Sequence, residues 1–323
     1  MSLNFEKLDK VLTVKENKAL LLTSLASLPF WCYGKGDAQN CCLTHRVGLP
    51  RHPATKQPMP LTPYQVEFFE EVVNHKKPKH GQSTVDALRD PHFFHLNKGR
   101  QMGFTEIVLR VIQYFCLHDY AGSKVGIIAA TNGSLAKKDL RRFVRLFSNV
   151  RELMQSYSGN IVKLANGTSI EAFPASEESM TGDTNYKCIF MDEAAKWRVT
   201  DDTPIFNSIT PIVNTNGADL FLVSTPKGPI KMFYEIHKNP KEYKKLEYDI
   251  WRAEGNLYTK KQIEIMIATA QEDPNQEYLC KFTYGKNAVF GEITPDMYDA
   301  VELEWEREEE AGISHVEGGE LWK

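Results

Sequence analysis

The feature that most constrains this chain is Cys188-Ile-Phe-Met-Asp-Glu193, an unbroken apolar run that ends in two carboxylates. Such a run suits a strand buried on both faces of a parallel sheet better than one with a wet face. Ligands of these sheets bind at the carboxyl ends of strands, so acids in that position point to chemistry. Short runs of the same kind occur at residues 93–97, 125–131, 169–173 and 219–224, and helical patterns lie before them at 65–73 and between them at 107–116 and 137–145. Strands alternating with helices predict an α/β fold whose parallel sheet carries helices on both faces. The segments after the strands, 99–105, 131–137, 192–197 and 224–228, then share one edge.

Lys98-Gly-Arg-Gln-Met-Gly-Phe-Thr105 supplies what a phosphate-binding loop needs. Gly99 and Gly103 let backbone N–H groups converge on phosphate oxygens, Lys98 or Arg100 offers a cation, and the Thr105 hydroxyl suits a metal. The helix after the loop presents its positive dipole end to the same place. The loop departs from G-x-x-x-x-G-K-[ST], because Phe104 stands where the lysine belongs and the glycine spacing is one residue short. The charge must therefore come from the front of the loop, with Arg100 the first choice and Lys98 the second, so Arg100→Ala is expected to harm the site more than Lys98→Ala. Asp192 would hold Mg2+ and Glu193 would deprotonate the water that attacks the γ-phosphate of ATP. A plain turn around the two glycines and an acidic turn after a strand are the bland alternatives.

The loop, the Asp-Glu-Ala-Ala of residues 192–195 and Leu222-Val-Ser-Thr-Pro-Lys-Gly228 together resemble the ATPase domain of the large terminase subunit, the genome-packaging motor of tailed viruses. The resemblance implies a three-layer P-loop NTPase of the RecA/ASCE type with a small lid. It also implies a nucleotide site formed by Lys98, Gly99, Arg100, Gln101, Met102, Gly103, Phe104, Thr105 and Glu106, with Thr105 and Asp192 on the metal. Asp192 and Glu193 read as Walker B, and Ser224 and Thr225 as the segment that senses the γ-phosphate. Leu61-Thr-Pro-Tyr-Gln65 is similar to the family's adenine motif, with Tyr64 and Gln65 as contacts, and 273–282 is similar to the segment that closes the ATPase region. Double-stranded DNA, a portal protein, a small terminase subunit and a homo-oligomeric ring in the infected host's cytoplasm follow as expected partners and setting. Thr181 stands where such terminases often have an arginine, so no catalytic arginine is assigned there.

The expected organisation is an N-terminal arm over 1–60, an ATPase core over 61–235 and a lid or linker over 236–323, without a nuclease domain. The acids from Glu302 to Glu310 read as a solvated charge run rather than a metal site. A net charge of −3 argues against general nucleic-acid affinity but not against a local basic surface, for which Lys137, Arg141 and Arg145 share one helix face. Arg141 or Arg142 is the alternative candidate for an arginine finger. No window approaches the roughly 20 apolar residues of a membrane span, and an intracellular protein is expected. Cys32, Cys41, Cys42, His45 and His52 could ligate zinc, although their spacing matches no standard finger. A superfamily 2-type helicase shares several motifs, and a scaffold that binds nucleotide without hydrolysis is the remaining alternative.

Overall fold

The computed structural model describes residues 61–78, 81–83, 89–117, 119–130, 133–147, 151–180 and 185–284. The chain runs α1 (Pro63–His75), β1 (His92–Lys98), α2 (Phe104–Leu117), β2 (Lys124–Ala129) and α3 (Ser134–Arg145), then β3 (Met154–Ser158), β4 (Ile161–Leu164), β5 (Ser169–Phe173) and β6 (Tyr186–Asp192). It continues through α4 (Thr203–Asn216), β7 (Asp219–Ser224), α5 (Lys231–Lys238), β8 (Tyr243–Tyr248), α6 (Lys260–Ala268) and the short α7 (Pro274–Glu277).

Successive strand residues point to opposite faces, and here both faces are apolar. Cys188 and Phe190 of β6 join Phe221 and Val223 of β7 in one core, under Phe68 of α1, Val108 of α2 and Leu140 of α3. Ile189, Met191, Leu220 and Leu222 face the other way, under Ile209 of α4 and Phe233 of α5. The result is the expected three layers, helices on both sides of one sheet.

The strand order is β3-β4-β5-β2-β6-β7-β1-β8. Pairings from β5 across to β8 are parallel, whereas the β3–β4 and β4–β5 pairings are antiparallel. Register brings the functional strand ends level: Asn97 pairs with Ser224, Val223 with Asp192, and Asp192 with Ala129. The expected core boundary at residue 235 is corrected by β8, which pairs with β1 from Phe93–Tyr243 to Lys98–Tyr248 and so extends the sheet. The described residues up to Thr283 fall in one compact unit.

At the opposite, starting edge of the strands, Asp219 is buried and bonded to Lys76, to the Tyr120 hydroxyl and, at 3.0 Å, to His92 Nδ1. Burial disfavours its charge, but Lys76 and His92 outweigh that and hold its carboxyl down at about 2. This buried pair fixes the end of α1 to the foot of β7.

Among the described residues no helix is long and apolar enough to cross a membrane. The N-terminal arm, the proposed zinc ligands, Thr181 and the acids from Glu302 onward lie outside the described residues. Cys116 and Cys188 are buried free thiols, pushed upward in pKa by burial, as small hydrophobes in a core are.

Candidate active site

β1 delivers Lys98 as its last residue, and the chain then turns through Gln101 and Gly103, both left-handed with φ of 62° and 77°, into α2. Gly103 meets two demands, since a side chain would be strained at that φ and its Cβ would lie 3.1 Å from Gln65 Nε2. Gly99 serves close approach instead: a Cβ there would lie 2.9 Å from the Tyr278 carbonyl. The N–H groups of Gly103, Phe104 and Thr105 meet no acceptor among the described residues. They form a ready cradle for anionic oxygens at a helix N-terminus.

Lys98 is buried, with Nζ 2.7 Å from Glu193 Oε1 and 3.4 Å from Thr225 Oγ1. Burial pulls its pKa down, but Glu193 and Asp192 outweigh burial and keep it raised, so the ammonium stays charged. Arg100 points elsewhere: its side chain is 54% exposed and bonds Glu277 Oε2 at 2.6 Å, while Lys196 bonds Oε1 of the same acid at 2.7 Å. The position of the two cations favours Lys98 over Arg100, the opposite of the expected order, since Lys98 bonds Glu193 and lies by Thr225 whereas Arg100 bonds Glu277.

Phe104 explains why the usual lysine is missing. Its ring packs on Tyr64, Phe68 and Tyr248 with centroids 5.6, 5.8 and 4.9 Å away. That position faces the core, so Phe104→Lys would not restore a phosphate cation. The variant is expected to lose at least about 3 kcal/mol, the scale of removing a buried phenylalanine, with the cost of burying charge added. A urea melt would show the loss; a stable variant with raised ATP turnover would contradict this placement.

Asp192 closes β6, is buried, and lies 3.3 and 3.5 Å from the Thr105 hydroxyl through its two oxygens. Burial, then Asp139 and Glu193 beside it, push its carboxyl well above the usual range. Glu193 follows in the left-handed region at φ 51°, an uncommon conformation for a non-glycine and one found at strained functional positions. Burial disfavours its charge, but Lys98 and Lys196 outweigh burial and leave it lowered, hence ionised. Its Oε2 is buried without a hydrogen-bond partner. Two hydroxyl and carboxylate oxygens side by side, next to a cradle of free N–H groups, suit a hard oxygen-seeking Mg2+ bound to phosphate.

The remaining predicted contacts also brace the loops around the site. Ser224 Oγ accepts from Ala195 N at 3.1 Å and donates to the Thr225 carbonyl at 2.8 Å, tying the segment after β7 to the turn after Glu193. Tyr64 and Gln65 both donate to the Met102 carbonyl, at 3.0 and 3.2 Å, and burial pushes the Tyr64 phenol up to about 12. Gln65 Oε1 accepts from Thr62 N at 3.0 Å. Thr62, Pro63 and Gln65 also start α1 as cap, first residue and capping-box partner, and the Gln65 amide ties that start to the loop. Glu106 pairs with Arg110 at 3.6 Å, Met102 is buried, and the Gln101 carbonyl accepts from Tyr258.

On α3, Lys137, Arg141 and Arg145 are exposed on one face as expected. Arg142, the alternative finger, is held by Asp139 of the same helix at 2.9 Å. Three residues that sequence motifs do not select also belong here: Asp139, Lys196 and Glu277. Asp139 carried a readable signal, an acid on the apolar stripe Ala136, Leu140 and Phe143.

Residues 95–294 match the family model described as terminase large subunit, T4likevirus-type, N-terminal. The large terminase of the thermophilic bacteriophage D6E, in complex with ADP, is similar at 14% identity with a TM-score of 0.52, over 69% of this chain and 54% of that one. The HK97 bacteriophage large terminase matches at 15% identity and a TM-score of 0.50, over 68% of this chain and 49% of that one. The chain therefore spans about half the length of those two proteins. The large terminase ATPase domain of Thermus phage P74-26 matches at 19% identity with a TM-score of 0.48, over 67% of this chain and 98% of that one. No curated protein matches.

Proposed function

The chain belongs to the T4-like-type terminase large subunits, in their N-terminal region, and from that membership we propose that it binds MgATP at the Lys98–Glu193 cluster and hydrolyses it to move double-stranded DNA. The observation that carries this reading is the meeting of Lys98, Thr105, Asp192, Glu193 and Thr225 at one sheet edge, contributed by three different strands and their loops. Unrelated turns have no reason to place a cation, a paired hydroxyl and carboxylate, and a free carboxylate oxygen together.

Each residue has a task that follows from its position. The N–H groups of Gly103, Phe104 and Thr105 hold phosphate oxygens, and Lys98 balances their charge. Thr105 and Asp192 would hold Mg2+, which when bound neutralises charge building up on the phosphates. Glu193, ionised and with Oε2 free, orients a water and takes its proton. Thr225 beside Lys98 registers loss of the terminal phosphate, and the Ser224 bridge carries that change to the turn after Glu193. ADP in the related D6E protein supports the nucleotide assignment.

The exposed basic face of α3 is the DNA contact of this reading, while a portal, a small subunit, a ring of copies and the host cytoplasm are its proposed surroundings. The test is ATP turnover with and without double-stranded DNA at low and high salt. Stimulation that fades as salt rises is expected for phosphate contacts; turnover indifferent to DNA would remove the translocase part and leave an ATPase.

A further inference from the structure

One short segment, residues 272–278, touches the loops after β1, β6 and β7 together. On the β1 side, Arg100 N donates to the Glu277 carbonyl at 2.7 Å, and Gly99 leaves no room for a Cβ beside the Tyr278 carbonyl. The Glu277 side chain is buried with both oxygens engaged: Arg100 Nη1 donates to Oε2 at 2.6 Å and Lys196 Nζ to Oε1 at 2.7 Å. Lys196 ends the turn Ala194–Lys196, which is closed by its own N–H on the Glu193 carbonyl at 2.9 Å. Farther out, Lys227 of the loop after β7 pairs with Glu272 at 3.0 Å.

A buried carboxylate is costly unless its oxygens are paired, and charge-assisted bonds to fixed cations are the strong way to pair them. One cation would meet that need. Glu277 holds two, one from the phosphate loop and one from the turn that starts at Glu193. The second matters because Glu193 stands at φ 51°, a conformation that persists only where the surroundings over-determine it. We propose that Glu277 is a positioning residue for hydrolysis, fixing the turn after β6 to the phosphate loop through Lys196 and Arg100 and so setting where the Glu193 carboxylate stands relative to bound phosphate. It acts through those two cations and not by contact with nucleotide. This deepens the MgATP reading of the site and rests on it.

The test is steady-state phosphate release and binding of a fluorescent ATP analogue, with thermal melts, for the parent, Glu277→Gln, Arg100→Met/Lys196→Met and the variant with all three changes. Glutamine keeps the size of the side chain but sets an NH2 group against one of the two cations. The expected result for Glu277→Gln is a kcat lowered about 10–100-fold, the scale of a small misplacement of reacting groups. Analogue affinity should stay within about threefold of the parent, because the backbone bond from Arg100 N remains. In the Arg100→Met/Lys196→Met background, Glu277→Gln is expected to change kcat by less than about threefold, since residues that act as one unit do not add. A merely structural acid would give losses that multiply; that result, or a folded Glu277→Gln with kcat within about twofold of the parent, would overturn the proposal. Should Glu277→Gln not fold, Lys196→Met leaves Glu277 paired with Arg100; a fall in kcat of about tenfold or more there would support the proposal, and an unchanged kcat would overturn it. A parent that neither binds the analogue nor releases phosphate would instead overturn the MgATP reading itself.

Discussion

Glu193→Gln is expected to keep MgATP binding while turnover falls by about 10²–10⁴-fold, the range set by removing a general base. Glutamine preserves the size of the side chain and the left-handed turn at φ 51°, so the loop geometry has little cause to change. What disappears is the basic oxygen. In the parent, Oε1 is occupied by Lys98 at 2.7 Å and Oε2 is buried and unpartnered, which leaves Oε2 to accept from an incoming water. Because Lys98 and Lys196 outweigh burial and lower the Glu193 pKa, the base is ionised throughout the neutral range. Equilibrium binding and steady-state phosphate release, measured on the same preparation, separate the two effects.

Lys98→Ala is expected to lower turnover by about 10²–10³-fold, as removal of a single preorganised charge does, and Arg100→Ala by roughly tenfold or less. Lys98 acts twice. It is the buried cation nearest the loop, and it holds Glu193 ionised; without it the carboxylate is left in a buried site with Lys196 as its main compensation. Arg100 is half exposed and engaged with buried Glu277, which keeps Lys196 at 2.7 Å as a second partner when Arg100 is lost. Kinetics of the two variants side by side decide the matter, and a larger loss for Arg100→Ala would return the loop cation to Arg100.

The layers of the fold were legible because β1, β2, β6 and β7 are apolar on both faces and read as continuous runs. β8 and the β3–β4 hairpin were not. Tyr243-Lys-Lys-Leu-Glu-Tyr248 is an edge strand on which only Leu246 and Tyr248 are buried, and β3 exposes Gln155 to Ser158 to solvent. Edge strands carry charge and polarity by design, which erases the apolar signal. At the site, Asp192, Glu193 and Thr105 could be read from position alone, because each ends a strand or opens a helix. The choice between Lys98 and Arg100 could not, since it depends on which way two neighbouring cations turn. Glu277 engages Arg100 from 177 residues away in the chain, beyond the reach of any local pattern. Gln65 shows the same limit: the Thr-Pro-x-Gln pattern also reads as a helix start, and its bond to the Met102 carbonyl, 37 residues away, has no local signal.

The measurement that bears most directly on the account is phosphate release from ATP by the purified chain, with Mg2+ and with EDTA, next to Glu193→Gln. The account predicts turnover that needs Mg2+ and is nearly abolished in the variant. Mg2+-dependent turnover that survives Glu193→Gln at close to the parent rate would contradict it, because the carboxylate beside Lys98 would then not be the base.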